Sequence, residues 1–211
     1  KGNISVIRIN PGNIGNFDRT KAFVEACKEK SAAIRIGVNT GSLPKDLERK
    51  VENSEITRAQ ALAETALREA EIFASLKFEN FAVSMKASSV QETIEANEAF
   101  ARQSDIPLHI GVTEAGPLIT GVVKSTLAFS RLLTEGIGST IRVSLSSSPE
   151  NEVIAGREIL HECGLRTGGV TLISCPRCGR LGFDVHGFME RWQNKLLSLD
   201  KNITVAVMGC I

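Results

Sequence analysis

Short apolar β-rich runs alternate with amphipathic stretches along nearly the whole chain, and that rhythm confines it to βα units laid on a parallel sheet. The runs cover residues 5–9, 33–38, 80–85, 107–112 and 140–145. Each is rich in Val, Ile and Leu with little polar alternation, as expected for strands covered on both faces. Helices are predicted between them at about 19–30, 58–76, 89–101, 124–133 and 152–162. The second of these is the clearest, because Ala61, Ala63, Leu67, Ala70, Ile72 and Phe73 make a broad apolar face among Arg and Glu.

After each strand the chain turns through a polar or glycine-containing segment: Asn10-Pro11-Gly12-Asn13, Asn39-Thr40-Gly41-Ser42, Lys86-Ala87-Ser88-Ser89, Thr113-Glu114-Ala115-Gly116 and Ser146-Ser147-Ser148. In parallel α/β folds the carboxyl ends of the strands carry the site, because these loops converge on one face and helix N-termini point toward it. Five such units do not close a barrel of about eight. Either about three more precede Lys1 in a TIM barrel, or the sheet is open and doubly wound. From Val170 the texture changes to a strand at 170–174, Cys175-Pro176-Arg177-Cys178, a helix at about 185–199, a strand at 203–208 and Cys210. This predicts two domains, 1–166 and 167–211, and the abrupt stop at Ile211 reads as a truncation.

Composition removes several classes. Lys and Arg number 25 against 24 Asp and Glu, a net charge of +1, so the chain has no overall field for nucleic acid or an anionic membrane, and any anion must be held locally. No apolar run approaches the ~20 residues of a membrane span, and Lys1-Gly2-Asn3 does not open a signal peptide, so the chain reads as soluble. Five scattered cysteines favour a reducing compartment over a disulfide scaffold. The first residue is not Met, which leaves an upstream transit peptide open.

Two constellations carry chemistry. Cys175 and Cys178 are spaced to put two thiolates on one centre, and Cys210 follows a strand and a glycine. By spacing alone the pair suits zinc, a redox dithiol or an iron-sulfur centre, and three cysteines do not complete a four-coordinate zinc site. The second constellation is Arg8, Asn10, Arg35, Asn39, Lys86, Glu114, Arg142 and Ser144, on the strands and their carboxyl ends. Arg8, Arg35 and Arg142 sit in apolar runs, where an unpaired guanidinium is costly, so each needs an anion or a wet cavity. Acidic residues are scarce there, which favours a bound polyanion such as a diphosphate over internal carboxylates. Glu114 is placed either as a general acid or base or as a partner of one of the arginines. His109 reads as a satisfied core histidine, Cys27 and Cys163 as inert helix residues, Phe17 and Phe23 as core, and Trp192 as helix packing.

The segments Arg8-Ile9-Asn10-Pro11-Gly12-Asn13, Arg35-Ile36-Gly37-Val38-Asn39, Ser84-Met85-Lys86-Ala87-Ser88, Gly111-Val112-Thr113-Glu114-Ala115-Gly116, Arg142-Val143-Ser144-Leu145, Cys175-Pro176-Arg177-Cys178-Gly179-Arg180 and Met208-Gly209-Cys210 resemble, in order, the 4-hydroxy-3-methylbut-2-enyl diphosphate synthase family of the non-mevalonate isoprenoid pathway. The resemblance implies an α/β chain: the last five or so βα units of a TIM (β/α)8 barrel, then the start of an α+β iron-sulfur cluster domain. It implies a reductase that opens and dehydrates 2-C-methyl-D-erythritol 2,4-cyclodiphosphate with two electrons delivered through a four-iron four-sulfur cluster. Carried over position by position, Cys175, Cys178 and Cys210 ligate that cluster, with a Glu expected beyond Ile211; Arg8, Arg35, Asn39, Lys86, Arg142 and Ser144 hold the diphosphate; and Glu114 transfers a proton. It further implies flavodoxin or ferredoxin as electron donor, a head-to-tail homodimer in which one subunit's cluster domain caps the other's barrel, and a bacterial cytoplasm or a plastid. The competing readings are a zinc-bearing barrel without redox activity and an inactive fragment.

Overall fold

The computed structural model describes residues 4–10, 14–15, 17–176 and 178–210. Contacts divide the chain into two units, Lys1–Glu152 and Val153–Ile211.

In the first unit β1 (Val6–Ile9), β2 (Ala33–Asn39) and β3 (Phe81–Lys86) pair in parallel and in chain order, with Arg8 opposite Arg35 and Asn39 opposite Lys86. A parallel bridge from Val83 to Leu108 carries the order on to β4 (His109–Ile110), which pairs with β5 (Thr140–Ile141). The last two strands are much shorter than the apolar runs that announced them. A single Val83 N–H to Pro107 O bond of 2.9 Å and an Arg142 N–H to Ile110 O bond of 3.0 Å extend the pairing beyond the regular ladder.

Helices cover one face of these strands: α1 (Phe17–Glu29), α2 (Lys45–Glu52), α3 (Arg58–Ser75), α4 (Val90–Ala101) and α5 (Leu118–Thr134). α3 begins on a capping box, in which Gln60 N–H donates to Thr57 Oγ1 and Thr57 N–H to Gln60 Oε1. Two of its own orphan donors are thereby satisfied. Its buried residues are mostly alanine, small enough for the helix to lie close on β2 and β3, and Phe73 fills the end of the contact. Against it the sheet presents Ile34, Ile36, Val38, Val83 and Met85, all buried. The opposite strand face carries Arg35, Gly37, Asn39, Ser84, Lys86, His109 and Gly111, an alternation that the sequence pattern understated.

α2 was not predicted. Its sequence KDLERKVE offers the core only Leu47 and is too charged to register as an apolar stripe; Asp46 and Glu48 in the first turn after Pro44 were the available signal. α5 begins at Leu118, well before the expected start at residue 124, because Pro117 caps it directly after the Glu114–Gly116 turn. Phe17 is exposed at the start of α1 and Phe23 half-buried, so neither is the core residue expected.

α6 (Pro149–Glu162) is followed by a turn that holds half-buried Cys163 just outside the helix. In the second unit β6 (Val170–Ser174) and β7 (Ile203–Val207) form a parallel pair with Ser174 opposite Val207, and α7 (Val185–Leu197) packs on β6. Trp192 is not packed in: it is 40% exposed, stacked on Phe188 with Lys195 Nζ 5.1 Å from its ring centre. No helix of the described residues is long and apolar enough to cross a membrane.

Candidate functional site

Strand register assembles the first cluster. Arg8 and Arg35 are neighbours across β1 and β2, and the Arg8 guanidinium lies across Gly37, where an added Cβ would stand 2.5 Å from Nε and 2.7 Å from one terminal nitrogen. Lys86, at the end of β3, reaches over Gly111, whose added Cβ would stand 3.1 Å from Lys86 Nζ and 2.9 Å from the Arg142 carbonyl oxygen. The two glycines therefore leave room for cationic side chains that any larger residue would displace. The turn after β3 is pinned by the buried Thr93 hydroxyl, which donates to Ala87 O or Ser89 O and accepts from Ala87 N–H.

Among the described residues, the side chains of Arg8, Arg35, Lys86 and Arg142 form no ion pair and no hydrogen bond. Burial and the fields of Arg142, Arg35 and Arg8 push Lys86 down from 10.5 to about 8. Burial, then Arg8 and Arg142, lower Arg35 as well. Arg35 is half-buried, as its place in an apolar run implied, whereas Arg8 and Arg142 are exposed, and Arg142 lies just past β5 rather than within a strand. Burial of Lys86 and Arg35, and after it the fields of the neighbouring cations, leaves this group short of an anion.

Asn39 is half-buried at the end of β2, and its loop is tied to that of β1, since Ser42 Oγ donates to Asn39 O and accepts from Asn10 Nδ2. Pro11, Gly12 and Asn13 of the predicted first turn lie outside the described residues. Ser144 is half-buried beyond β5, and its hydroxyl has no partner among the described residues. Glu114 is exposed and pairs with none of the arginines there; it adopts φ +51° between buried Val112 and Ala115, in a turn held by Thr113 N–H to Ala87 O (3.0 Å) and Ser146 N–H to Gly116 O (2.9 Å). A non-glycine residue in that region costs on the order of 1 kcal/mol and persists only where its surroundings over-determine it.

His109 corrects the sequence reading. Its Nδ1 lies 2.8 Å from Thr140 Oγ1, but its Nε2 is buried without a partner, so the ring is only half satisfied. Burial, then Lys86, Arg35 and Arg142, hold it down at about 4. It was legible as a polar residue in an apolar run, on the same strand face as Gly111.

In the second unit Cys175 directly follows β6, its N–H donating to Val207 O. Cys210 follows β7 and bridges to Leu181, whose N–H donates to Cys178 O. Backbone pairing thus brings the three cysteines to one end of the β6–β7 pair. Gly209 is required there, because an added Cβ would stand 2.5 Å from Val185 Cγ2 and 3.0 Å from Phe183 O. All three are free thiols, Cys178 and Cys210 exposed, a donor set that suits a soft metal or iron-sulfur centre. The described residues do not gather three ligating side chains into a finished metal group, and Arg177 lies outside them. The fit is one of donor chemistry and placement.

Comparison with known proteins matches residues 1–157 to the GcpE TIM-barrel domain and residues 171–211 to the GcpE protein C-terminal domain. Among curated relatives, 4-hydroxy-3-methylbut-2-en-1-yl diphosphate synthase (flavodoxin) of Treponema denticola is 58% identical, over 100% of this chain and 59% of its own length. The protein of the same description from Treponema pallidum is 59% identical over 100% of this chain and 54% of its own. That from Clostridium perfringens is 46% identical over 99% of this chain and 59% of its own. The chain spans little more than half the length of the curated relatives it matches.

Proposed function

The chain belongs to the GcpE family, and from that membership and its unpaired cation cluster we propose that it serves reductive opening of 2-C-methyl-D-erythritol 2,4-cyclodiphosphate to 4-hydroxy-3-methylbut-2-enyl diphosphate. The observation that carries the reading is the crowding of Arg8, Arg35, Lys86 and Arg142 without a counter-ion among the described residues, with Lys86 depressed to about 8 by burial and by the other three. The two domains are assigned as 1–166 for the substrate and 167–211 for the redox centre.

The reaction breaks one carbon–oxygen bond to phosphate and expels a neighbouring hydroxyl as water, consuming two electrons and one proton while a double bond forms. The freed phosphate oxygen leaves the diphosphate one unit more negative. A cluster of cations with no other partner among the described residues binds the product charge more strongly than the substrate charge, which favours the forward step electrostatically. Arg8, Arg35 and Arg142 supply forked donors to phosphoryl oxygens, Lys86 a point charge, and Asn39 and Ser144 neutral hydrogen bonds at the rim. Glu114, held in its turn with a free carboxyl, supplies the proton to the departing hydroxyl.

Cys175, Cys178 and Cys210 hold the iron-sulfur cluster. When bound, that group supplies the electrons and a Lewis-acid site. The relatives' description names flavodoxin, and a small flavoprotein donor is assigned here on that ground. A homodimer working in the cytoplasm completes the proposal.

The test is anaerobic reconstitution of the full-length protein with iron and sulfide, followed by a reductant-driven assay on the cyclic diphosphate. About four irons with consumption of substrate are expected. Zinc in place of iron, or a full cluster without turnover, would overturn the assignment.

A further inference from the structure

We infer that His109 is a seventh ligand of the bound diphosphate, donating Nε2–H to a phosphoryl oxygen from below Lys86. The inference rests on the diphosphate reading and extends it to a buried residue beneath the cations.

Placement comes from register. Val83 bridges to Leu108, so one residue further along, Ser84 stands beside His109, and His109 in turn pairs with Thr140 across β4 and β5. Gly111, two residues on and on the same strand face, lies under Lys86 Nζ. The imidazole is therefore one layer beneath the Lys86 ammonium, on the face that bears the cations. It is 7% exposed, and Nε2 is buried with no partner.

Chemistry selects the tautomer. Lys86, Arg35 and Arg142, the cations whose fields act on the ring, are donors only. A lone pair on Nε2 beside them would be expected to capture one of their N–H groups, and none is bonded to it. An N–H at Nε2 explains the vacancy, because the three cations whose fields reach the ring are donors and offer it no lone pair. Nδ1 is then the acceptor, and the Thr140 hydroxyl, 2.8 Å away, donates to it. The arrangement lacks an acceptor, which a phosphoryl oxygen provides once the flexible Lys86 side chain above the ring swings toward the anion and opens Nε2 to it. A neutral donor also adds a hydrogen bond without adding a further charge to the cations around it.

Two substitutions separate this role from a structural one. His109→Asn keeps an amide near the Nδ1 position for Thr140 and removes the group at Nε2; His109→Gln carries an amide out to the Nε2 position. Binding of inorganic diphosphate to the full chain is followed by calorimetry, with melting temperature as the control. About a tenfold loss of affinity is expected for His109→Asn at unchanged melting temperature, recovered in His109→Gln. Should His109→Asn not fold, Thr140→Val, at an exposed position, frees the ring and is expected to weaken binding several-fold. Addition of diphosphate to the unsubstituted protein is also expected to move the Nε2 resonance in nitrogen NMR. Unchanged affinity in His109→Asn, or in Thr140→Val if that variant is the one measured, would overturn the assignment while leaving the cation site standing. A parent chain that binds no diphosphate would overturn the site and this role together.

Discussion

Replacing Gly37 by alanine tests whether an apparently bland strand residue belongs to the site. The new Cβ would stand 2.5, 2.7 and 3.0 Å from Nε, a terminal nitrogen and Cζ of Arg8, so the guanidinium must leave its place over β2. Its exposed, flexible side chain can do so without disturbing the backbone. Glycine in a strand interior is disfavoured relative to alanine by roughly 0.5–1 kcal/mol, so the fold should keep or slightly gain stability, by about 1–3 °C. Binding should suffer. A hydrogen bond to a charged group contributes about 1.5–3 kcal/mol, which predicts roughly a tenfold to hundredfold loss of diphosphate affinity. Calorimetric titration with inorganic diphosphate, beside thermal melts of the same samples, reads both quantities. Gly41→Ala is the control, since an added Cβ there meets nothing within 4 Å. Undiminished affinity would show that Arg8 does not hold the anion where it now lies, and a large fall in melting temperature would make Gly37 a packing residue instead.

Lys86 sets the pH response. Its folded value of about 8 lies below the ordinary 10.5, so between those values the unfolded chain holds more protons and stability should rise with pH across that window. Thermal melts from pH 7.5 to 9.5, with Lys86→Met lacking the rise, check the sign. An arriving anion favours the ammonium, so diphosphate binding near pH 8–9 should take up a proton, visible as a dependence of binding heat on buffer ionisation heat. In the second unit, Gly209→Ala drives a Cβ to 2.5 Å from Val185 Cγ2 and 3.0 Å from the Phe183 carbonyl, an overpacking of about 1–3 kcal/mol. A lowered melting temperature and reduced iron retention after reconstitution are expected, read by calorimetry and iron analysis; a variant matching the parent in both would show that the 181–185 segment yields freely.

Much of this was legible from residue types in order. The parallel strands, the long alanine-faced α3 and the Arg and Lys positions at the strands' carboxyl ends were each visible, because apolar periodicity and misplaced cations are local properties of a sequence. What escaped depends on neighbours across the sheet. Gly37 and Gly111 matter only because Arg8 and Lys86 fall across them, and His109 matters because Thr140 satisfies one ring nitrogen and leaves the other bare. Strand lengths were overread at β4 and β5, where apolar residues continue past the regular pairing. The charged α2 was missed because one buried leucine makes no periodic signal. The three cysteines could be paired with a metal chemistry from spacing, but their common position at one end of β6 and β7 required the register.

The most direct measurement is a crystal structure of the full-length protein with the cyclic diphosphate bound. Phosphoryl oxygens within hydrogen-bonding distance of Arg8, Arg35, Lys86 and Arg142 are predicted, with His109 Nε2 beneath them. A diphosphate lodged elsewhere, with these four cations still facing solvent or paired to carboxylates, would contradict the account.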